Sequence, residues 1–377
     1  MLKNLIRGGA RALLASVGVV ACTASLHAAG PVSPPPKNRA AAPALVVGFV
    51  YVTPIGEAGW TYQHELGRRE MERALGRRVK TIAVEGVAEG ADSERVMRDL
   101  VRQGAGLVFA TSFGYLEPAL RVAADSPAVK FEHAGGYKSA ANLATYDSRY
   151  YEARWLAGFV AGQASRSGIA GYVAGFPVPE VVQGINAFAL GMRAANPRAR
   201  VRVLWLNTWF DPVKEREAAQ ALIDQGADVL TQHSGSTAVA QAAQANFRGR
   251  HVRVIPYPSD MHAIAPDAQL VAIVHHWGGF YTRIAESVID GRWTAAPVWG
   301  GIASGLVDIA GLDPALPATV RTATAARRAA IVEGRLLPFS GRLVDNAGRV
   351  RLAAGHLDDA AIRAMDWLVD GVVAARP

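Results

Sequence analysis

The chain has little cysteine, few charged side chains and no long apolar run beyond its first residues. Its 377 residues include one cysteine, Cys22, and only 19% are charged. A single thiol excludes an internal disulfide and a cysteine-based metal cluster. No run of 18 apolar residues follows position 29, so we expect no later segment to span a membrane.

Motifs for nucleotide phosphates and metal ions are also missing. The turn after the first predicted strand reads TPIGEAGW, which lacks G-x-G-x-x-G, and no G-x-x-x-x-G-K-[ST] loop occurs. The nine histidines form no H-E-x-x-H, and the adjacent His275 and His276 would point to opposite faces of a strand. We therefore expect no catalytic residues, no metal and no other cofactor.

The N-terminus predicts export. Three basic residues and no acidic one occur in residues 1–29, around the apolar run ALLASVGVVA, which is the pattern of a secretory signal. Cys22 ends that run, so two outcomes stay open. The signal is either that of a lipoprotein, with Cys22 lipidated as a membrane anchor, or it is cleaved near Ala24 or Ala28. Both predict a periplasmic protein.

The remaining charge is modest. The formal net charge is +8, and removing the three basic residues of the signal leaves about +5. Lysines and arginines are interleaved with acids along predicted helices, which indicates a solvated surface and not a nucleic-acid groove. Residues 30–43 are rich in proline and predict an extended tether.

From Leu45 onward, strands and helices alternate. The apolar run LVVGFVYV is typical of a buried parallel strand. The alternation of strands and helices begins again at IAGYVAGF, after the long predicted helix YYEARWLAGFVAGQASR. Two such series predict an α/β protein with two parallel sheets. We assign the strand–helix unit from QLVAIVHHWG to the first domain, and predict a hairpin in GRLVDNAGRVRL and a last helix over DDAAIRAMDWLVDG.

These patterns give two lobes joined by a hinge. Lobe 1 comprises residues 44–148 plus about 272–310, and lobe 2 comprises residues 149–271 plus about 311–377. We expect the chain to be a monomer.

Aromatic residues follow several predicted strands. Trp60, Phe113, Trp209, Phe210 and Trp277 all fall where a strand has just ended. Ligands of open α/β sheets bind at the carboxyl ends of the strands, so these rings predict a flat apolar ligand held by stacking.

Hydrogen-bonding groups occur in the same places. Candidates for hydrogen bonding to the polar edge of such a ligand are Asn207, His233, Asp260 and His133. Gly114 lies in a turn that lines the cleft. Structural alternatives stay open: His133 and His233 are also typical of core histidines, and Asp260 of a helix cap.

One segment is similar to a catalytic motif. Ala110-Thr111-Ser112-Phe113-Gly114 follows a strand and precedes a helix, as the nucleophile elbow of an α/β hydrolase does. A secreted hydrolase with Ser112 as nucleophile is therefore the alternative function. No HGGG-like oxyanion loop accompanies it.

Several blocks resemble one known family. GEAGWTYQHELGR, TSFGY, FEHAGGY, FPVPEVVQGINAFALGMRAANP and NTWFDPVKEREAAQALIDQGADVLTQH are similar to the basic membrane protein family. These are purine-nucleoside-receptor-like substrate-binding proteins of bacterial ABC importers. The resemblance runs from about Val46 to the C-terminus. It implies a type I periplasmic-binding-protein fold, in which two Rossmann-like lobes close on a purine nucleoside or nucleobase, and delivery to an ABC permease in the inner membrane.

The resemblance also implies roles for single residues. The stacking aromatics of the family fall on Trp60 and Trp209, and the acid of its DSDM-like turn falls on Asp260. Pro258 stands where many members have a carboxylate, and the segment from His233 to Ser236 lacks an acid often present there. Loss of groups that would hold a ribose favours a bare base such as adenine. A receptor that passes the same ligand to a signalling partner is a further alternative.

Overall fold

A computed structural model describes residues 44–374. The predictions for the signal (1–29), for Cys22 and for the tether (30–43) lie outside the described residues. The first half of the described chain alternates strands and helices as expected: β1 (Leu45–Val50), α1 (Trp60–Leu75), β2 (Val79–Val84), α2 (Ala91–Arg102), β3 (Ala105–Ala110), α3 (Leu116–Asp125), β4 (Lys130–Ala134), β5 (Leu143–Ser148) and α4 (Tyr150–Ala164).

A second series of the same kind follows, again confirming the predicted pattern. Its elements are β6 (Ile169–Ala174), α5 (Pro179–Ala195), β7 (Arg200–Trp205), α6 (Pro212–Asp224), β8 (Val229–His233), α7 (Ala238–Arg250) and β9 (Arg253–Ile255).

The last third of the chain is less regular. It contains β10 (Ala272–His275), α8 (Gly278–Ile289), β11 (Val298–Gly300), β12 (Val307–Ala310), α9 (Ala318–Val332), β13 (Leu343–Val344), β14 (Val350–Leu352), α10 (Asp359–Arg363) and β15 (Val372–Ala374).

Two parallel sheets organise the molecule into Rossmann-like lobes. The first sheet has the order β2-β1-β3-β4-β5-β11 and the second the order β9-β8-β6-β7-β15. The chain therefore passes between the sheets three times: after β5, after β9 and after β11. Within each sheet the parallel strands end at the same edge, so the residues that follow them are brought together.

Each sheet is covered on both faces. Along β1, Val50 packs with α2 and α3, whereas Val47 and Phe49 pack with α1 and α8. In the second sheet, Tyr172 of β6 faces α4 and α5, and Val173 faces α6 and α7. Burial on both faces explains why the strands are continuously apolar.

The helices α4 and α5 make the closest packing in the fold. A Cβ atom on Gly158 would lie 2.0 Å from the carbonyl oxygen of Phe188, and one on Gly191 would lie 1.9 Å from that of Trp155. Only glycine allows the two backbones to approach this closely.

Strand β10 pairs antiparallel with β12 in a separate two-stranded sheet, and α8 after it packs against β1 of the first sheet. The predicted last helix needs correction. The last helix is α10 alone, with five residues. Beyond it the side chain of Asn186 accepts from the Val369 amide and donates to the Trp367 carbonyl, so these backbone groups do not form helical hydrogen bonds. The hairpin of β13 and β14 is confirmed.

Within residues 44–374, no helix combines the length and the apolar character needed to cross a membrane.

Candidate functional site

A small cavity lies between the two lobes, at the carboxyl ends of the strands. Its volume is about 50 Å³. The first lobe contributes Thr53, Trp60, Ser112, Phe113 and Gly135, and the second contributes Glu180, Trp209, His233, Ser234 and Tyr257. Of the ten ligand-binding residues predicted from sequence, the structure brings Trp60, Phe113, Trp209 and His233 to this cavity.

Trp60 is held rigidly as the first residue of α1. Gly59, which precedes the helix, adopts a φ of 102°, a conformation that favours glycine. The indole Nε1 of Trp60 donates to the Thr111 carbonyl at 2.6 Å. Its ring packs edge-on against His64 at 4.5 Å, between centroids, and against His275 at 5.4 Å. The orientation of this wall is therefore fixed before any ligand arrives.

Trp209 forms part of the wall of the second lobe, in the loop after β7. Its ring packs edge-on against Phe176, with 4.8 Å between centroids. A Cβ atom on Gly175 would lie 2.7 Å from Trp209 Cε3, so the indole rests directly on the backbone of that glycine. The Trp209 carbonyl accepts from the Gly235 amide at 2.8 Å.

The two lobes touch beside the cavity. Ser259 of the second lobe accepts hydrogen bonds at 2.9 Å from the Gly59 amide and from Gln63 Nε2, both in the first lobe. A Cβ atom on Gly59 would lie 2.3 Å from the carbonyl oxygen of Gly235. The described conformation is thus a closed one.

Glu180 is a cavity residue that the sequence analysis missed. It lies in the first turn of α5, and its Oε2 is 2.9 Å from the position of a Cβ atom on Gly135, across the cleft. Burial, followed by the nearby carboxylate of Asp147, raises the pKa of Glu180 well above its ordinary value. Its position six residues after the end of β6 could have revealed it by the same strand-end rule.

His233 ends β8 and is held neutral. It is 6% exposed, and its buried Nδ1 has no hydrogen-bond partner within residues 44–374. Burial lowers the pKa of His233 well below its ordinary value, and the positive charge of Arg154 lowers it further.

Arg154 supplies that charge from inside the second lobe. Its guanidinium donates to Thr231 Oγ1 at 3.1 Å and to the Gln232 carbonyl at 2.8 Å. It also lies 4.1 Å from the ring centroid of Tyr257, which lines the cavity. The cation is therefore held by hydrogen bonds and an aromatic face behind the cavity wall.

Three predicted residues of the first lobe lie near the cavity but do not line it. Trp277 is 1% exposed and packs behind Trp60 at 6.0 Å. The Gly114 amide donates to Glu89 Oε1 at 2.9 Å. His133 is fully buried, and burial lowers its pKa to about 3. It is a core histidine, one of the two alternatives left open for it.

Three predicted residues of the second lobe also lie outside the cavity. Asn207 is exposed and adopts a positive φ of 55°. Phe210 is 37% exposed and packs near Gly235. Asp260 is exposed in a separate surface recess, where it accepts from Gln269 Nε2 at 2.8 Å and from the His262 amide at 2.9 Å. In this conformation it holds a turn together.

The geometry around Ser112 differs from that of a serine hydrolase. The Ser112 hydroxyl donates to Glu89 Oε1 at 2.7 Å. Among the described residues, no hydrogen bond joins the Ser112 hydroxyl to a ring nitrogen of the nearby His133, so the pair is not arranged as a nucleophile and its base. In the described part of the chain, no three histidine, cysteine or acidic side chains are grouped as a metal ion would need.

Known proteins resemble this chain in sequence. A purine-binding protein of Brucella abortus (strain 2308) is 46% identical over 329 residues, which cover 87% of this chain and 93% of that protein. A Haloferax volcanii protein with a provisional name as an ABC transporter glucose-binding protein is 36% identical over 324 residues, which cover 86% of this chain and 79% of that protein.

Solved structures share the fold at low identity. An ABC transporter solute-binding protein from Aeropyrum pernix K1 superposes with a TM-score of 0.66 at 18% identity, covering 84% of this chain and 95% of that one. One from Conexibacter woesei gives a TM-score of 0.62 at 21% identity, covering 78% and 98%. These confirm the periplasmic-binding-protein fold.

The family is established by a match over most of the described chain. The family model of PnrA-like ABC transporter substrate-binding proteins, named Bmp, matches residues 44–334. Together with the Brucella relative, this confirms the resemblance seen in the sequence. The chain belongs to the Bmp family of ABC transporter substrate-binding proteins.

Proposed function

We propose that this substrate-binding protein captures a purine nucleobase, such as adenine, between its lobes and delivers it to an ABC permease. The observation that carries the proposal is that Trp60 and Trp209, one from each lobe, line the same cavity. A purine has two flat faces, and each stacked aromatic contributes about 1–3 kcal/mol to binding a base. The name of the Brucella relative, a purine-binding protein, supports the same ligand class.

A bare base suits the cavity better than a nucleoside. The cavity wall carries the hydroxyl groups of Thr53, Ser112, Ser234 and Tyr257. Two of its hydroxyls, on Ser112 and Ser234, already donate to the carboxylates of Glu89 and Glu215. A ribose would need several free polar partners, because an unpaired buried hydroxyl is costly. The same reasoning argues against glucose, whose hydroxyls surround its ring, although the Haloferax relative is named for that sugar.

We propose lobe boundaries close to the three crossings between the sheets. Lobe 1 would comprise residues 44–148 plus about 272–310, and lobe 2 residues 149–271 plus about 311–377. Membership of β11 in the first sheet and β15 in the second supports this division. Ligand would then stabilise the closed form by contacting both lobes.

We also propose that the protein acts in the periplasm as a monomer and without enzymatic turnover. The family supports export, because its members serve ABC importers. Whether Cys22 is lipidated can be read from the mass of the mature protein. A hydrolase would need Ser112 as nucleophile; esterase turnover by the wild type that is lost in Ser112→Ala would favour it.

Calorimetry tests the ligand proposal. The purified protein would be titrated with adenine, guanine, adenosine, guanosine and glucose. We expect at least one base to bind more tightly than its nucleoside, and no binding of glucose. A strong preference for nucleosides would defeat the bare-base proposal, and binding of glucose alone would defeat the purine proposal. Native mass spectrometry of the freshly purified protein adds an independent check, because a co-purified base would be seen directly.

A further inference from the structure

Most polar groups on the cavity wall are already committed to other parts of the protein. Four of them donate within the protein: Trp60 Nε1 to the Thr111 carbonyl, Thr53 Oγ1 to Thr61, Ser112 Oγ to Glu89 and Ser234 Oγ to Glu215. The Tyr257 hydroxyl is 3.1 Å from His275 Nε2. These groups hold the wall in shape and have little capacity left for a ligand.

Glu180 and His233 are different. In the described part of the chain, the buried Nδ1 of His233 has no hydrogen-bond partner. The Tyr150 hydroxyl lies close enough to lower the pKa of Glu180, yet it is itself buried without a hydrogen-bond partner, so the two do not form a well-aligned bond. The carboxyl group of Glu180 faces the cavity. It is therefore available to a ligand.

The surroundings of Glu180 disfavour a negative charge. The carboxylates of Asp147 and Glu89 both raise its pKa, and burial raises it most. Arg363 faces Asp147. The buried cation Arg154 is bonded to Thr231 and the Gln232 carbonyl and forms no hydrogen bond with Glu180 among the described residues.

We infer that Glu180 binds the ligand as a neutral carboxylic acid, which donates one hydrogen bond and accepts another along a single edge of the base. The inference rests on the proposed function, because it specifies how the same cavity would recognise a purine. In its neutral form a carboxyl group has one O–H donor and one carbonyl acceptor side by side. That pair complements any purine edge on which a donor lies beside an acceptor, such as N1 and the amino group of adenine.

An ionised carboxylate would read a different edge. It only accepts hydrogen bonds, so it requires two adjacent donors. The protonation state of Glu180 therefore selects the kind of edge that binds, and His233, neutral and with an unpartnered nitrogen, is placed to add one further hydrogen bond.

Binding becomes linked to pH in a defined direction. Below the pKa of Glu180 in the free protein, the acid form is present before and after binding, so affinity does not change with pH. Above that pKa the free protein must take up a proton to bind, and affinity falls tenfold for each pH unit. Asp147 shifts this midpoint, because its negative charge raises the pKa of Glu180.

The test is calorimetry with adenine between pH 5 and 9, on the wild type and four variants. Glu180→Gln keeps a donor beside an acceptor but cannot ionise, so we expect affinity within about threefold of the wild type at low pH and no fall at high pH. Glu180→Ala should bind adenine at least tenfold more weakly than the wild type does. Unsubstituted purine, which lacks the amino group, is titrated alongside. It should bind the wild type more weakly than adenine does, and Glu180→Ala should lower its affinity by a smaller factor than it lowers that of adenine.

Glu132→Gln is the matched control. Glu132 is a buried carboxyl whose pKa burial raises to about 8, but it accepts from Trp293 Nε1 outside the cavity. We expect this variant to keep the wild-type pH profile. The fourth variant, Asp147→Asn, should move the onset of the affinity loss to lower pH.

The outcomes separate the two proposals. If the wild type binds adenine and Glu180→Gln keeps the same pH dependence, or Glu180→Ala binds as tightly as the wild type, the role of Glu180 is overturned while the proposed function stands. If the wild type binds no purine at all, the proposed function fails and this inference fails with it.

Discussion

At the scale of single residues, the candidate site depends on rings that the protein holds in place. Trp60 is fixed by its hydrogen bond to the Thr111 carbonyl and by edge contacts with His64 and His275. Trp209 rests on the backbone of Gly175. A rigid aromatic wall loses little conformational entropy on binding, so the stacking energy is available to the ligand.

Removing either indole should weaken binding by a similar amount. Trp60→Ala and Trp209→Ala are each expected to lose about 1–3 kcal/mol of adenine binding, the range for one stacked base. Trp60→Phe keeps a ring but loses the Nε1 hydrogen bond, so its loss should be smaller. Calorimetry measures all three. Trp293→Phe, at a tryptophan outside the cavity, serves as the control, and unchanged binding in both alanine variants would contradict stacking.

Residue types at strand ends predicted only part of this site. Trp60, Phe113, Trp209 and His233 could be found because each lies at the end of a strand or after it. The same rule also selected Asn207 and Asp260, which are exposed, since it locates a backbone position but does not give the direction of the side chain. Glu180 was missed because it lies in a helix, where a first-turn acid usually serves only the helix dipole.

At the scale of elements, the regular parts of the chain were predictable, but the pairing of β10 and the end of the last helix were not. The strands and helices from β1 to β9 could be read from apolar runs and amphipathic periods, because each packs locally on a neighbour along the chain. Strand β10 and helix α10 depend on partners far away in sequence: β12 for the first, and the side chain of Asn186 for the residues after the second. No local pattern contains that information.

The contact between α4 and α5 gives a prediction for stability. Gly191→Ala would place a methyl group 1.9 Å from the Trp155 carbonyl oxygen, so the helices must separate. Overpacking of this kind typically costs about 1–3 kcal/mol, and here backbone must move. We expect urea unfolding to show a loss of at least that size.

Gly249→Ala is the matched control for that substitution. Gly249 lies in α7, and a Cβ atom on it would have no neighbouring atom within 4 Å outside its own helix backbone. Alanine is favoured over glycine within a helix by up to about 1 kcal/mol, so this variant should be neutral or slightly more stable. If Gly191→Ala were as stable as Gly249→Ala, the packing at the α4–α5 contact would be looser than described.

At the scale of the whole molecule, function requires the lobes to open and close around the cavity. Three chain crossings join the sheets, so a rotation of one lobe against the other changes few backbone angles. The closed form already has contacts between the lobes, including the two hydrogen bonds to Ser259. These hydrogen bonds stabilise the closed form independently of any ligand. They therefore determine the free energy of closing the empty protein, which is part of the free energy of ligand binding.

Ser259→Ala should shift the free protein toward the open form. The substitution removes the acceptor shared by the Gly59 amide and Gln63 Nε2, and a buried amide without a partner costs about 1–3 kcal/mol. Opening returns that amide to water, so the penalty acts only on the closed state. Adenine affinity should therefore fall by at most the equivalent of that penalty, about five- to 150-fold, and by less the more of the free wild type is closed. Small-angle scattering should show a larger radius of gyration without ligand, and saturating adenine should restore the compact value.

Ser287→Ala controls for loss of a serine hydroxyl as such, because its Oγ donates to the Ile284 carbonyl within α8. It should leave affinity and radius of gyration unchanged. If Ser259→Ala weakened binding while its scattering with and without adenine matched the wild type, the serine would act on the ligand and not on closure. Closure brings Glu180 up to Gly135 and completes the cavity. If Ser259 acts only by stabilising the closed form, Ser259→Ala must lower the affinity for adenine and for unsubstituted purine by the same factor. If Ser259 contacts the ligand directly, the two affinities would fall by different factors.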